Sequence, residues 1–81
     1  MSPIPRLLVV EDEARNQALI RAVFAGTDYD LAMVSTVAQA REWLLEHRPD
    51  LVLLDLRLPD KPGVDLAREL RATPQTAGVP I

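Results

Sequence analysis

The chain has 81 residues, of which 48% are hydrophobic and 26% are charged, so it fits one small globular domain and rules out two. Its 9 basic and 12 acidic side chains give a net charge of −3, which argues against nucleic-acid contact by this segment. The absence of cysteine excludes disulfides and thiolate zinc sites, and the presence of a single histidine excludes multi-histidine metal sites.

The first half of the chain predicts a tail, a strand and a helix. Residues 1–5 hold two prolines and predict an irregular tail. The apolar run 6–10 ends abruptly in acid and predicts a strand that is covered on both faces. Residues 13–24 follow the helical period, and Gly26 is the expected stop signal. The predicted inward face of this helix consists of Ala14, Ala18, Leu19, Ala22 and Val23, with Arg15, Asn16, Gln17 and Arg21 on the other side.

A second strand and a second helix follow. Residues 30–35 predict a weaker strand. Thr36 then has the spacing of a helix N-cap, with Gln39 reaching back to it in a capping box. The apolar stripe of this helix consists of Val37, Ala40 and Leu44, and the Arg48-Pro49 step is expected to end the helix.

The last third of the chain predicts one more strand and one more helix. Residues 50–54 are the strongest strand, and they again end in a carboxylate, Asp55. Residues 56–62 form a loop, residues 63–72 a helix with Leu66, Ala67 and Leu70 inward, and residues 79–81 the beginning of another strand. Strands that alternate with helices predict an α/β fold with right-handed crossovers and an open parallel sheet.

Three carboxylates stand out, because two separate apolar strands each end in acid at their carboxyl side. These are Glu11 and Asp12 after the first strand and Asp55 after the third. In open α/β sheets, ligands bind outside the carboxyl ends of the strands. If the first and third strands are neighbours, the three acids converge and favour a hard cation such as Mg²⁺. An aspartate at this place can also act as a nucleophile toward a phosphoryl group.

Each acid also has a simpler interpretation. Asp55 can be a turn residue that ends a strand, Asp12 can be the N-cap of the first helix, and Glu11 can be a solvated strand end. A haloacid-dehalogenase-type phosphatase would need a second acid two residues after Asp55, where Arg57 stands. No glycine-rich phosphate loop is present, which disfavours an NTPase or a dinucleotide enzyme.

Two segments carry a resemblance to a known family. Residues 7–13 (Leu-Leu-Val-Val-Glu-Asp-Glu) and residues 48–63 (Arg-Pro-Asp-Leu-Val-Leu-Leu-Asp-Leu-Arg-Leu-Pro-Asp-Lys-Pro-Gly) resemble the receiver domain of two-component response regulators. The resemblance implies a flavodoxin-like (CheY-like) doubly wound parallel sheet with strand order 2-1-3-4-5. It extends over residues 1–81, which correspond to the first two-thirds of the family domain, through the third helix and the start of the fourth strand.

The resemblance also implies a site. Asp55 would accept a phosphoryl group from a sensor histidine kinase or a phosphotransfer protein. Asp12, Asp55 and the backbone carbonyl of Arg57 would ligate Mg²⁺, and Glu11 would assist through water. No catalytic residue beyond Asp55 is expected, and the chain is not expected to be an enzyme. Two further residues, Pro59 and Gly63, would shape the loop that follows the phosphoacceptor.

The chain departs from the family at its end. It stops before the strands that carry the family's phosphoryl-binding Ser or Thr and its Lys, and its single lysine, Lys61, lies in another loop. The third strand is then an apolar edge that can recruit a second copy of the chain. We therefore expect one of three states: a fragment of a longer regulator, a half-domain completed by a second copy, or a marginal monomer. An alternative function is a non-phosphorylated receiver-like module for protein-protein interaction or self-assembly.

The expected location is the cytoplasm, without membrane contact. The longest apolar runs span about five residues, whereas a helix needs roughly 20 to cross a bilayer. Residues 1–10 carry one arginine and no pattern typical of a signal peptide.

Overall fold

The computed structural model describes residues 4–81, in which three strands alternate with three helices. In chain order these are β1 (Arg6–Val10), α1 (Ala14–Phe24), β2 (Asp30–Val34), α2 (Val37–Leu44), β3 (Leu51–Leu54) and α3 (Gly63–Ala72). Residues 4 and 5 are irregular, as predicted for the tail, whose first three residues lie outside the described range. No helix within residues 4–81 is long and apolar enough to cross a membrane.

The three strands form a parallel sheet in the order β2-β1-β3, which confirms the predicted α/β fold and places β1 in the centre. The register aligns the strand ends: Val10 pairs with Val34 on one side and with Leu54 on the other. The residue that follows each strand therefore emerges at the same edge of the sheet, and this alignment positions the site.

The sheet face under α2 and α3 carries the main hydrophobic core. Each residue of that core is at most 6% exposed, and the set consists of Leu8, Val10, Val37, Ala40, Val52, Leu66, Leu70 and Val79. Trp43 and Leu44 are half-buried against it. The predicted inward stripes of the second and third helices are therefore correct, because their leucine, valine and alanine side chains fill this face.

The opposite face is covered by α1, and here the predicted inward stripe is wrong. Leu19 is 59% exposed and Val23 is 72% exposed, and the three alanines of the predicted stripe are exposed as well. Ile20 and Phe24 are half-buried instead. Two stripes with a spacing of four residues compete on this helix, and Ile20 and Phe24 remove more apolar surface from water than alanine methyl groups can.

Several element boundaries differ from the prediction by a few residues. The second helix ends at Leu44 and not at Arg48, because Leu45 N–H bonds to the Glu42 carbonyl and tightens the last turn. The second strand ends before Ser35, whose N–H donates to the Gln39 side chain at 2.7 Å. The third strand begins after Asp50, whose carboxylate accepts from Arg6 N–H at 2.7 Å. The first helix begins one residue later than predicted, at Ala14.

The last residues lie along the outer edge of β3 but do not form the predicted strand. Val52 N–H donates to the Pro80 carbonyl at 3.0 Å, and Val79 is 6% exposed. The Arg71 guanidinium holds this segment by donating to the carbonyls of Ala77 and Val79 at 2.8 and 2.7 Å. Residues 79–81 therefore cover part of the β3 edge that the sequence predicts to be apolar and unpaired.

Candidate functional site

The three acids predicted to converge do so at the carboxyl edge of the sheet. Glu11 N–H bonds to the Val34 carbonyl at 2.9 Å and Asp55 N–H to the Val10 carbonyl at 3.0 Å, so both residues continue the hydrogen-bond ladder beyond the strands. One carboxylate oxygen each of Glu11, Asp12 and Asp55 lies within 4.8 Å of the other two. The acids thus share one cleft, as the strand order predicts.

The surroundings of the three acids differ. Glu11 is 8% exposed and its Oε2 accepts from Glu13 N–H at 3.1 Å, so it is not a solvated strand end. Asp12 is exposed and is not the N-cap of α1, because that position belongs to Glu13, which makes no side-chain capping bond. Asp55 is half-buried, and its Oδ1 accepts from Arg57 N–H at 3.0 Å. Asp55 therefore stabilises a turn and also faces the cleft.

The donor set fits a divalent cation. Three carboxylates at this separation repel one another unless a positive charge lies among them, and hard oxygen ligands on a partly open cleft suit Mg²⁺. Asp12 and Asp55 keep exposed surface toward solvent, so water can complete a coordination shell. The side chains present therefore fit the metal that the sequence predicts.

The loop after Asp55 is folded tightly against the start of α3. Gly63 N–H donates to the Leu56 carbonyl at 3.0 Å, and Arg57 and Pro62 form an isolated antiparallel bridge. A Cβ atom at position 63 would overlap the Asp55 carbonyl oxygen and lie 2.9 Å from Leu56 Cα. Glycine is needed here because backbone approaches backbone, which fits the loop-shaping role expected of Gly63. Pro59 is exposed in the same loop, and its shaping role stays a prediction.

A shallow pocket beside the cleft contains a residue that sequence reasoning placed elsewhere. Its lining consists of Val9, Val10, Glu11, Asn16, Ile20, Leu53, Leu54 and Asp55. Asn16 belongs to the predicted outer side of the first helix, but α1 is rotated so that Asn16 is half-buried next to the acids. A larger groove between α2 and α3 contains none of the three acids, so it is not the site of this chemistry.

Asp60 is a second residue that the sequence does not reveal. Its Oδ1 and Oδ2 accept from the N–H groups of Val37 and Ala38, both at 3.0 Å, so it caps α2 from across the fold. Partial desolvation raises the pKa of Asp60, but hydrogen bonds from backbone N–H groups outweigh this effect and lower the pKa below its ordinary value. The contact joins positions more than 20 residues apart, and no local pattern marks it.

Comparison with known proteins agrees with this geometry. The family model of the response regulator receiver domain matches residues 7–81. The DNA-binding response regulator MtrA of Mycobacterium tuberculosis (strain H37Rv) is 45% identical over 76 residues, which cover 94% of this chain and 32% of the relative. The transcriptional regulatory protein RstA of Escherichia coli is 42% identical over 66 residues, which cover 82% of this chain and 28% of the relative. The chain thus spans about a third of the length of the curated relatives it matches.

Solved structures give the same result. The receiver domain of the sensor histidine kinase PA1611 from Pseudomonas aeruginosa superimposes with a TM-score of 0.87 at 34% identity, covering 98% of this chain and 65% of the other. That crystal structure holds a magnesium ion in the active-site cleft. The phosphorylated cyanobacterial response regulator RcpA matches with a TM-score of 0.86 at 28% identity, covering 96% of this chain and 62% of the other.

Proposed function

The chain belongs to the response regulator receiver domain family of two-component systems, and we propose that Asp55 is its phosphoacceptor. The observation that carries this proposal is the convergence of Glu11, Asp12 and Asp55 at the carboxyl edge of the sheet. Receiver domains are signalling domains that take phosphoryl groups from histidine kinases. The proposed role is therefore acceptance of a phosphoryl group that alters contacts with another protein.

We assign the metal to the same cleft. Asp12, Asp55 and the backbone carbonyl of Arg57 would ligate Mg²⁺, with Glu11 acting through water. When bound, the ion would neutralise charge on the three carboxylates and on the incoming phosphoryl group. The buried position of Glu11 and its bond from Glu13 N–H keep that carboxylate fixed, which lowers the cost of organising the cleft.

The two oxygens of Asp55 have separate tasks in this proposal. Oδ1 is held by Arg57 N–H at 3.0 Å, which orients the carboxylate and leaves Oδ2 for the reaction. Oδ2 forms the new bond to phosphorus while the bond between phosphorus and the donor's histidine nitrogen breaks. The nitrogen keeps the electron pair of that bond, and the product is an acyl phosphate on Asp55. The phosphoryl group stays on the chain, so this role does not require an enzyme with turnover.

The proposed partner is a sensor histidine kinase or a phosphotransfer protein that carries a phosphohistidine. The proposal places the chain in the cytoplasm, where ATP-dependent kinases act. MtrA and RstA are DNA-binding or transcriptional regulators by name, but the chain matches about a third of each, so a DNA-linked output is a proposal about a larger protein. Self-association through the edge of β3 stays a prediction, which light scattering of the purified chain tests.

Intact-mass measurement tests the phosphoacceptor assignment. Incubation with Mg²⁺ and acetyl phosphate should add one phosphoryl group to the wild-type chain, and chelation of the metal should prevent it. Asp55→Asn should abolish the gain, whereas Asp65→Asn, an acid in the first turn of α3, should keep it. An unchanged mass gain in Asp55→Asn contradicts the assignment. No gain in the wild type with Mg²⁺ favours the non-phosphorylated interaction module instead.

A metal titration tests the ligand assignment separately. Asp12→Asn keeps the shape of the side chain but removes a charge from the cleft, so the Mg²⁺ dissociation constant should rise by about tenfold or more. Calorimetry, or the amide shifts of residues near the cleft, measures this constant. Equal constants for the wild type and Asp12→Asn would remove Asp12 from the ligand set.

A further inference from the structure

The loop between β3 and α3 (residues 55–62) is hydrogen-bonded to the start of α2, which is distant from it in the sequence. Asp60 makes this connection: its Oδ1 accepts from Val37 N–H and its Oδ2 from Ala38 N–H, both at 3.0 Å. Both carboxylate oxygens are engaged by separate backbone donors. A bidentate arrangement of this kind fixes the direction of the side chain as well as its position.

This connection completes the hydrogen bonding at the start of α2. The first N–H groups of a helix lack partners within the helix and need outside acceptors. Thr36 Oγ1 accepts from Gln39 N–H at 3.0 Å, and Asp60 accepts from the two preceding N–H groups. The negative charge of Asp60 also lies at the positive end of the helix dipole, which favours the same contact.

The other end of the loop is connected to the acidic cleft. Arg57 N–H donates to Asp55 Oδ1 at 3.0 Å, and Leu58 packs against the hydrophobic core. Gly63 N–H closes the loop onto the Leu56 carbonyl at 3.0 Å. With its two ends fixed at Asp55 and Gly63, the loop has few remaining degrees of freedom, and the bonds of Asp60 to α2 restrain its middle.

We propose that Asp60 is a positioning residue for the acidic cleft: by capping α2 it holds the 55–62 loop in the conformation in which Asp55 and the backbone of Arg57 serve the cation. The cation affinity of the cleft and the order of the first turn of α2 are then coupled. This inference rests on the proposed function only where it concerns the cation, because the restraint on the loop exists without it.

Coupling of this kind is reciprocal. If the α2 contact raises the affinity for Mg²⁺ by some factor, Mg²⁺ must strengthen the α2 contact by the same factor. Binding at the cleft should therefore slow hydrogen exchange at the amides of Val37 and Ala38, which lie in a different element. A purely structural cap predicts no such response to the metal.

Hydrogen exchange on the metal-free chain tests the restraint. Asp60→Ala should accelerate exchange at the Arg57 and Gly63 amides by about tenfold relative to β1 amides, which report global unfolding. Thr36→Ala is the matched control, because it removes a cap from the same helix end without touching the loop, and it should leave these amides within about twofold. Equal acceleration by both variants, or none by Asp60→Ala, overturns the proposal.

A Mg²⁺ titration followed by amide shifts tests the coupling. Asp60→Ala should raise the dissociation constant by about threefold to tenfold, Asp60→Asn by less because one acceptor oxygen remains, and Thr36→Ala by less than about twofold. The metal should slow exchange at Val37 and Ala38 in the wild type. Unchanged affinity in folded Asp60→Ala contradicts the coupling.

The two proposals fail in different ways. A wild-type chain that does not respond to Mg²⁺ contradicts the proposed metal site and the coupling, while the metal-free exchange comparison still decides whether Asp60 restrains the loop. A chain that binds Mg²⁺ equally well with and without Asp60 leaves the metal site intact and rejects the positioning role. Dispersed amide shifts in each variant verify that it is folded.

Discussion

The two faces of the sheet are covered to different extents. On the face under α2 and α3, two helices bury Leu66 and Leu70 to 1% and 2% exposure against β1 and β3. On the other face, α1 buries Leu7 and Val9 of β1 to 0% and 1% exposure. Its own inward residues, Ile20 and Phe24, stay half-buried. The acidic cleft borders the less covered face, since its pocket includes Ile20 and Leu53.

The residues that stabilise the fold and the acids of the cleft therefore lie in different parts of the molecule. Apolar burial, which is roughly proportional to the stabilisation it provides, is concentrated under α2 and α3. The loop that Gly63 closes connects Asp55 to that face. Asp12 and Asp55 keep surface exposed to water, whereas Glu11 is buried. Mutations under α2 and α3 should therefore reduce stability, and mutations on the outer side of α1 should not.

The largest expected effect comes from the core leucines. Leu66→Ala should lower the free energy of unfolding by about 2–5 kcal/mol, because it removes a buried side chain and leaves a cavity. The matched variant Leu19→Ala, on the exposed side of α1, should change it by less than about 0.5 kcal/mol. Urea unfolding followed by circular dichroism measures both values. Similar losses of unfolding free energy for the two variants would contradict the proposed difference between the two faces.

Gly63→Ala should have the next largest effect. The added methyl group overlaps the Asp55 carbonyl, and relief requires a shift of backbone, so a loss of about 1–3 kcal/mol is expected. Gly78→Ala is the control, because a Cβ at position 78 meets nothing within 4 Å. Thermal or urea unfolding compares the two. Equal stability of the two variants would show that the loop can adjust without cost.

Thr76→Val should have a smaller effect at the end of the covered face. The Thr76 hydroxyl is buried and donates to the Leu70 carbonyl at 2.7 Å, so its loss should cost about 1 kcal/mol. Thr73 makes a comparable bond to the Glu69 carbonyl at 2.8 Å but is exposed, so Thr73→Val should cost less. The same unfolding measurement ranks them, and the reverse order would argue against a core that extends to residue 79.

The smallest expected effect is a pH dependence due to Asp60. Because the folded-state pKa of Asp60 is below its ordinary value of 3.8, the ionised carboxylate stabilises the fold above that value, and this contribution is lost as the pH falls through the folded-state pKa. The stability difference between the wild type and Asp60→Asn should be constant above about pH 5 and shrink below it. Unfolding curves at several pH values test this, and a difference that grows in acid contradicts it.

Much of the fold could be predicted from the sequence because its signals are local. Unbroken apolar runs mark β1 and β3, and the acids that end them mark the edge where the site forms. The N-cap of α2 followed from the spacing of Thr36 and Gln39, although the Gln39 side chain bonds to Ser35 N–H and not to Thr36. The convergence of the three acids required that β1 and β3 be neighbours, an order that the resemblance to the receiver family implied and that the α/β pattern alone left open.

The parts that could not be predicted depend on contacts between distant positions. Ile20 and Phe24 are buried in preference to the alanine stripe, and this sets the rotation of α1. Both sets of residues are spaced four apart, so the period alone cannot tell which set faces the sheet. Asn16 was misplaced for the same reason. In the sequence, Asp60 looks like an ordinary loop acid, because its contacts are with α2, which is distant along the chain.

The half-buried indole on α2 has a practical consequence. Trp43 is the only tryptophan of the chain, it packs against the core under α2, and its ring stacks on His47 with centroids 4.7 Å apart. Intrinsic fluorescence excited at the indole band therefore originates from one known position. Stopped-flow emission can follow rearrangement of this helix in real time without any introduced dye.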